Sequence, residues 1–429
     1  MNDLNLYNRV YAKAKRAGQL HLLATYEGLD DEQKVSLLKQ LDGVDFDLME
    51  NLYKKASRAT SAEVTPAFRE IETLPYLDTT KMEDSEKVAL SRIGLDAIGK
   101  GELAVLTMAG GQGTRLGHNG PKGTYSIGLP GNESLFEIQC KGIAAVAGRA
   151  GYQPHWYIMT STINHADTVA FFESKQYFNY PKERIHFFPQ MMIPAVTEDG
   201  KLQLSSESEL LRSPNGNGGM FVSLAGCGLL EVMKAHGAKY LFVCGIDNCL
   251  VKMADPMFLG AMLSDEKKPQ ATAKSYIKRD PTEKAGIFCR RDGRPGVLEY
   301  TEIPKLYAEM KNDNGEWTYG DTNVLNYIFT LDAVERLAAM GTEYHIAVKK
   351  LTYLDPATKQ EITVPKGYKF ELFLFDTFLY LDDLQVVRIE RTEEFAPVKN
   401  PTGIDSAESA REMYLEFERT NPRKWEEQI

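Results

Sequence analysis

From Leu103 onward the chain repeats one alternation: a short apolar run, then a stretch with apolar residues at helical spacing. Leu103 to Met108 (LAVLTM), His155 to Thr160, Ile185 to Phe188 and Tyr240 to Gly245 (YLFVCG) read as strands. Ile163 to Glu173 and Leu224 to His236 read as helices between them. Such alternation predicts an α/β fold built on a mixed, mostly parallel sheet. The first 98 residues or so carry a different pattern. Leu20 to Tyr26, Asp31 to Leu41, Phe46 to Lys55 and Asp84 to Ile98 have apolar residues at helical spacing, for example Val35, Leu37, Leu38 and Leu41. Asp30 is placed to cap the second of these, with acids in the first turn. A Pro-containing connector spans 65–79. Beyond Gly341 the pattern turns β-rich, with Phe370 to Phe375 and Gln385 to Glu390, and a last helix covers Ser406 to Glu418. The predicted organisation is an N-terminal helical domain (1–100), a central α/β domain (101–340) and a β-rich C-terminal region (341–429). The helical region either stands as an accessory domain or packs on the back of the next one.

Composition narrows the partners. The chain has 429 residues, 43% hydrophobic and 26% charged, an ordinary globular balance with room for two or three domains. A formal net charge of −10 argues against non-specific nucleic-acid or anionic-membrane binding. Cys140, Cys227, Cys244, Cys249 and Cys289 form no C-x-x-C, and an odd set in a long chain reads as reduced thiols of a cytoplasmic protein. The N-terminal stretch lacks the apolar core of a secretory leader, and no apolar run approaches the roughly 20 residues of a membrane helix. The seven histidines are scattered, with no H-E-x-x-H and no zinc spacing.

The candidate chemistry starts where the Leu103 strand ends. Gly110-Gly111-Gln112-Gly113-Thr114-Arg115-Leu116-Gly117 follows, then Gly120-Pro121-Lys122-Gly123. Glycines let backbone N–H groups approach an anion, and the two cations add fixed charge, so the stretch reads as a phosphate cradle. Its G-x-G-x-x-x-G spacing fits neither the dinucleotide fingerprint nor a Walker A loop. The alternative is a plain turn, against which the strand, the Arg and the Lys all argue. Asp247 directly follows YLFVCG, where a carboxylate suits Mg²⁺ or an Asx-turn. Ser213 to Gly219 (SPNGNGG) suits close approach to a base or sugar, or a surface turn. Lys369 and Lys399 read, on their own, as surface lysines, and His118 as a solvated loop histidine.

Taken together, Ala109 to Gly117, Pro121-Lys122-Gly123, Phe187 to Gln190, Pro214 to Gly219, Asp247 to Lys252, Ala254-Asp255-Pro256, Glu283 to Gly286, Val297 to Glu302, Thr322 to Val324, Lys369-Phe370-Glu371 and Phe395 to Asn400 resemble the UDP-N-acetylglucosamine pyrophosphorylases of the UDP-sugar pyrophosphorylase superfamily. The resemblance runs from about residue 18 to 415. It implies a GT-A-like nucleotidyltransferase whose catalytic domain is 101–340 and whose C-terminal region completes the site. It assigns Gly110, Gly111, Gln112, Gly113, Thr114, Gln190 and Gly216 to the nucleotide. Arg115, Lys122, Lys369 and Lys399 go to the phosphates and catalysis. Asn217, Gly286, Glu299, Tyr300 and Asn323 go to the sugar, and Asp247 to Mg²⁺. The chain departs from the pattern at Pro189, Met191, Asn215 and Asp321-Thr322, the last beside the sugar-side Asn323. Most of the family's carboxyl-terminal extension is also expected to be absent.

The implied reaction is UTP plus a sugar 1-phosphate, chiefly N-acetylglucosamine 1-phosphate, giving a UDP-sugar and pyrophosphate. The implied state is a monomer or weak homo-oligomer, without nucleic acid or membrane partners. A glucose 1-phosphate or broad-specificity enzyme is the neighbouring alternative. A glycosyltransferase is disfavoured, because it handles no triphosphate for Arg115 and Lys122 to hold. A non-catalytic nucleotide-sugar sensor is disfavoured by the complete set of Lys122, Asp247, Lys369 and Lys399.

Overall fold

The computed structural model describes residues 3–58, 70–340, 343–356 and 358–421. The chain forms two compact units. One is assembled from 1–64, 191–219 and 342–373, the other from 65–190, 220–341 and 374–429.

The larger unit carries the mixed α/β sheet. Its main strands are β1 (Tyr76–Asp78), β2 (Leu103–Met108), β3 (Trp156–Thr160), β4 (Ile185–Pro189), β5 (Tyr240–Gly245), β6 (Ala271–Ile277), β7 (Asp321–Thr330) and β8 (Leu384–Arg388). They lie side by side in the order β1-β8-β6-β7-β5-β2-β3-β4. Every neighbouring pair is parallel except the two made by β7. The sheet is therefore mostly parallel, as the alternation predicts. β2 and β3 are buried at every position, the mark of central strands covered on both faces. Leu135–Ala150, capped by Ser134, packs on this core through Phe136, Ile143 and Val146. The helix expected over Leu224 to His236 is two, Met220–Gly226 and Leu229–Ala235, because Gly228 adopts φ +69 between them. Among the described residues no single helix is long and apolar enough to cross a membrane.

The smaller unit joins the helices Asp3–Arg16, Asp31–Asp42 and Phe46–Arg58 to an antiparallel sheet. That sheet runs in the order Val196–Thr197, Gln360–Glu371, His345–Asp355, Leu204–Ser206, Glu209–Leu210. Asp30 caps its helix as expected, in a reciprocal box with Gln33. Leu20 to Tyr26 folds instead as short 3-10 turns, Leu20–Leu23 and Tyr26–Gly28.

This arrangement replaces the three consecutive domains expected at 1–100, 101–340 and 341–429. Leu37, Leu41 and Met49 share one core with Ile193, Leu204, Tyr368 and Phe370, so the helical region closes its apolar face with distant strands. Asp84–Gly99 belongs to the larger unit. Part of the 65–79 connector lies outside the described residues; its remainder contributes β1 and the short strand Ile71–Glu72.

Candidate active site

The larger unit gathers most of the predicted residues at the carboxyl ends of β2 and β5, the end where open parallel sheets bind ligands. β2 leads into the glycine loop, which closes on itself: Gly113 N–H donates to Gly120 O at 3.0 Å and Lys122 N–H to Gly111 O at 3.1 Å. Asn164 is fully buried beside it and donates Nδ2 to Ala109 O (3.0 Å) and Gly111 O (3.2 Å). Its Oδ1 accepts from Ser161 N–H at 2.7 Å. His118 is a strut of the same loop. The Thr124 hydroxyl donates to Pro121 O, so the His118 Nε2 donates to Thr124 Oγ1 at 2.7 Å. Gln112 Oε1 is buried without a partner among the described residues. Gln190, extending β4, lies over Gly110, where a Cβ would sit 2.9 Å from its Nε2.

Two buried contacts set the end of β5. Gln139 Nε2 donates to Gly245 O at 3.0 Å, and Gln139 Oε1 accepts from Thr107 Oγ1 at 2.8 Å. Asp247 then folds back so that a Cβ on Gly245 would meet its Oδ1 at 2.6 Å. Its Oδ2 faces Lys122 Nζ at 3.9 Å. Lys399 arrives from far along the chain because its segment is stitched to this turn. Val398 N–H donates to Asp247 O at 2.8 Å, Cys249 N–H to Ala396 O, and Ala396 N–H to Asn248 Oδ1. Asp247, Asn323, Phe395 and Lys399 line one small cavity of about 70 Å³.

Burial pushes the Lys122 ammonium below its ordinary range. Asp247 opposes that shift, while the charges of Lys399 and Arg115 add to it. Two further cations thus bear on the Lys122 ammonium beside the Asp247 carboxylate, an arrangement that favours an anion there. Neither carboxylate oxygen of Asp247 accepts a hydrogen bond among the described residues, Lys122 Nζ standing at 3.9 Å. One carboxylate beside a glycine loop with two cations fits what Mg²⁺ accepts, which is one or two carboxylates with water and phosphate oxygens as the other ligands.

Of the residues that the resemblance assigns to the sugar, those of this unit lie apart from the glycine loop in sequence, and Asn323, Gly286 and Glu299 come together. Asn323 N–H donates to Gly286 O at 2.8 Å. Asn323 Oδ1 accepts from Tyr327 Oη at 2.6 Å and Leu325 N–H at 3.1 Å, so its Nδ2 is the group left for a ligand. Glu299 lies against Gly286, where a Cβ would stand 3.1 Å from its Oε1, and Tyr300 is exposed. The unusual Asp321-Thr322 pair does not compete here. Arg388 holds both Asp321 oxygens at 2.9 and 2.8 Å, and Thr322 Oγ1 donates to Tyr276 O.

Gly216, Asn217 and Lys369 belong to the smaller unit. Gly216 has φ +84, and Gly218 N–H donates to Leu372 O at 2.9 Å. Leu372 N–H donates in turn to Asn215 O, so the glycine segment is fastened to the end of the strand that carries Lys369. Sequence reasoning missed Asn164, whose only signal was a polar residue ahead of a helix. It also missed a cluster of three histidines at the opposite ends of the strands. Arg184 Nη1 donates to His155 Nε2 at 2.9 Å, so His155 Nδ1–H donates to His186 Nε2 at 2.9 Å. His236 stacks on His155 with centroids 3.7 Å apart.

The sequence model of the UTP–glucose-1-phosphate uridylyltransferase family matches residues 47–410. A UDP-N-acetylglucosamine diphosphorylase of Arabidopsis thaliana is 36% identical over 428 residues, covering 94% of this chain and 81% of its own. The UDP-N-acetylglucosamine pyrophosphorylase of Saccharomyces cerevisiae is 35% identical over 423 residues, covering 94% and 88%. The crystal structure of the Trypanosoma brucei uridine diphosphate N-acetylglucosamine pyrophosphorylase superposes with a TM-score of 0.81 at 29% identity, over 97% of this chain and 85% of that one. A family match across most of the sequence, with relatives this similar over nearly all of it, makes the chain a nucleotidyltransferase that belongs to the UTP–glucose-1-phosphate uridylyltransferase family, as a UDP-N-acetylglucosamine pyrophosphorylase-like member.

Proposed function

We propose that the chain transfers the uridylyl group of UTP to N-acetylglucosamine 1-phosphate, forming UDP-N-acetylglucosamine and pyrophosphate. The observation that carries the reading is the meeting of Lys122, Lys399 and Asp247 at the carboxyl ends of β2 and β5. The sugar is taken from the names of the relatives.

The attacking group is a phosphate oxygen, already anionic near neutral pH, so no general base is needed. The site accordingly needs alignment and charge compensation. In this reading the Gly110–Gly117 backbone and Arg115 hold the β- and γ-phosphates. Lys122 and Lys399 compensate charge at the α-phosphoryl, and the resemblance adds Lys369. Gln190 and Gln112 take the uridine, the orphan Oε1 of Gln112 being an acceptor without a donor of its own; Gly216 is assigned to the nucleotide by resemblance alone. Asn323 offers Nδ2 to the sugar, with Gly286 and Glu299 beside it; Tyr300 and Asn217 are assigned to the sugar by resemblance alone. Asp247 would hold Mg²⁺, which when bound draws charge from the phosphate oxygens.

The test is pyrophosphate release from UTP with a panel of sugar 1-phosphates, including glucose 1-phosphate, and with other nucleoside triphosphates as controls. N-Acetylglucosamine 1-phosphate should give the highest kcat/KM, and EDTA should abolish turnover. A higher kcat/KM for glucose 1-phosphate would move the chain to the other substrate. Release of UDP rather than pyrophosphate would reject the reaction class.

A further inference from the structure

Lys274, in β6, is 1% exposed and carries no role in the reaction just described. Its Nζ lies 2.6 Å from Asp255 Oδ2 and also contacts Glu394 Oε2. Glu394 Oε1 takes Lys252 Nζ at 3.0 Å, and Lys252 reaches Glu393 at 3.4 Å. The Phe258 ring lies 5.0 Å below the Lys274 ammonium. Asp255 is engaged twice, since Oδ1 caps the helix Pro256–Ser264 by accepting from Met257 N–H.

A buried ion group of this kind seldom adds stability over apolar side chains of the same shape; what it can supply is a fixed geometry. Here the geometry fixed is that of the chain leading to Lys399. Glu394 begins that chain, and its carbonyl accepts from Asn248 Nδ2 at 2.7 Å. Beyond it, Ala396 and Val398 are tied to Asn248 and Asp247. Lys274 also sits where β6 changes register against β7: Ala273 faces Tyr327, whereas Ser275 faces Asn323. Leu325, in the extra stretch of β7, adopts φ +56. The strand position that grips Glu394 is thus opposite the bulge that presents Asn323.

On the reading that Lys399 meets substrate phosphate, we infer that Lys274 is a positioning residue: by gripping Asp255 and Glu394 together it sets the Glu394–Lys399 segment, and with it the spacing of Lys399 and Asp247. Lys252 and Glu394 serve the same grip. Lys252 and Asp255 fall in two of the sequence motifs that mark the family, yet neither reaches the cavity of Asn323 and Lys399.

The test is a double-mutant cycle on the full chain. Lys399→Ala should lower kcat roughly 10²-fold. Lys274→Met/Glu394→Gln removes one charge of each sign, and Glu394→Gln alone keeps the side-chain shape should the double variant fail to fold. Each should melt cooperatively and lose kcat by tenfold or more (on the order of a displaced reacting group), with KM for UTP little changed. Placed on Lys399→Ala, each should cost less than about twofold further, because both changes act through one ammonium. A merely structural role predicts the opposite, a full second loss on the Lys399→Ala background. That result, or wild-type kcat in the folded variants, overturns the inference and leaves the role of Lys399 standing. Wild-type turnover by Lys399→Ala overturns both.

Discussion

At the scale of single residues the site turns on how little room Asp247 has. A Cβ on Gly245 would meet Asp247 Oδ1 at 2.6 Å and Leu325 Cδ2 at 3.0 Å, so the carboxylate would have to shift to make room for it. Gly245→Ala should therefore leave the fold intact and push the carboxylate away from Lys122. A shift near 1 Å at a reacting centre costs on the order of 10²-fold. We expect that loss in kcat, with a raised Mg²⁺ requirement in a metal titration; an unchanged titration would detach Asp247 from the metal. Lys122→Ala should lower kcat roughly 10²–10³-fold, the cost of a lost transition-state donor, with the UTP KM the lesser effect in steady-state kinetics. Much of this was legible in the sequence. A buried strand, glycines and two cations announced Arg115 and Lys122, and a carboxylate at a strand end announced Asp247. Lys399 had no local signal. It reaches the site through bonds such as Val398 N–H to Asp247 O, between residues far apart in the chain, and only the family resemblance singled it out.

At the scale of elements, regular segments were legible and their junctions were not. β2, β3 and β5 follow directly from apolar runs, because central strands must bury both faces. The glycine loop has no such pattern, and its shape comes from buried polar groups that sequence reads as unremarkable. Asn164 is the chief of these. Asn164→Ala would orphan Ala109 O and Ser161 N–H, would leave Gly111 O with only the Lys122 N–H, and should destabilise the protein by about 1–3 kcal/mol. Because the loop loses its clamp, KM for UTP should rise more than kcat falls, as thermal melting combined with a UTP titration would report. The histidine cluster joins the starts of β3 and β4 to the end of Leu229–Ala235. Burial, His236 and Arg184 push His155 down to about 3, and burial and His236 push His186 down to about 4. Both lie below the ordinary histidine value of 6.5. The unfolded chain thus takes up these protons first as acid is added. The stability these histidines contribute should be complete above pH 6.5 and fall as the pH drops from there toward 3. The urea midpoint of the wild type should decline more steeply over that window than that of His155→Phe; parallel declines would remove the cluster from the acid response.

At the scale of the whole molecule, the lesson concerns what a domain is. Helical spacing in the first hundred residues announced helices but left open whether they stand as a domain or pack on the next one; the structure instead builds them into a unit with two later segments of the chain. Amphipathic periodicity states that a face is apolar without stating what will cover it. In the smaller unit that cover is supplied from elsewhere in the chain. Ile193, Val196, Leu202 and Leu204 come from the middle of the sequence, and Tyr368 and Phe370 from near its end. Side-chain bonds to backbone carbonyls follow the same route: Gln19 Nε2 donates to Gly200 O, Thr25 Oγ1 to Glu207 O and Gln40 Nε2 to Ser208 O. A fragment of residues 1–100 lacks all of these partners. It should show no cooperative thermal transition, because short helices without a packed face are marginal in water. The same logic makes a sharper demand on the intact chain. Phe370 is fully buried in this core, so Phe370→Ala should cost about 3–5 kcal/mol. The loss should appear in helices hundreds of residues earlier, as faster amide exchange in Asp31–Asp42 and Phe46–Arg58. Exchange in β2 and β3, which pack in the other core, should stay slow. Uniform acceleration across both cores would mean that the two units unfold as one. Unchanged exchange in the N-terminal helices would mean that they hold together without the distant strands, and the fragment should then fold alone.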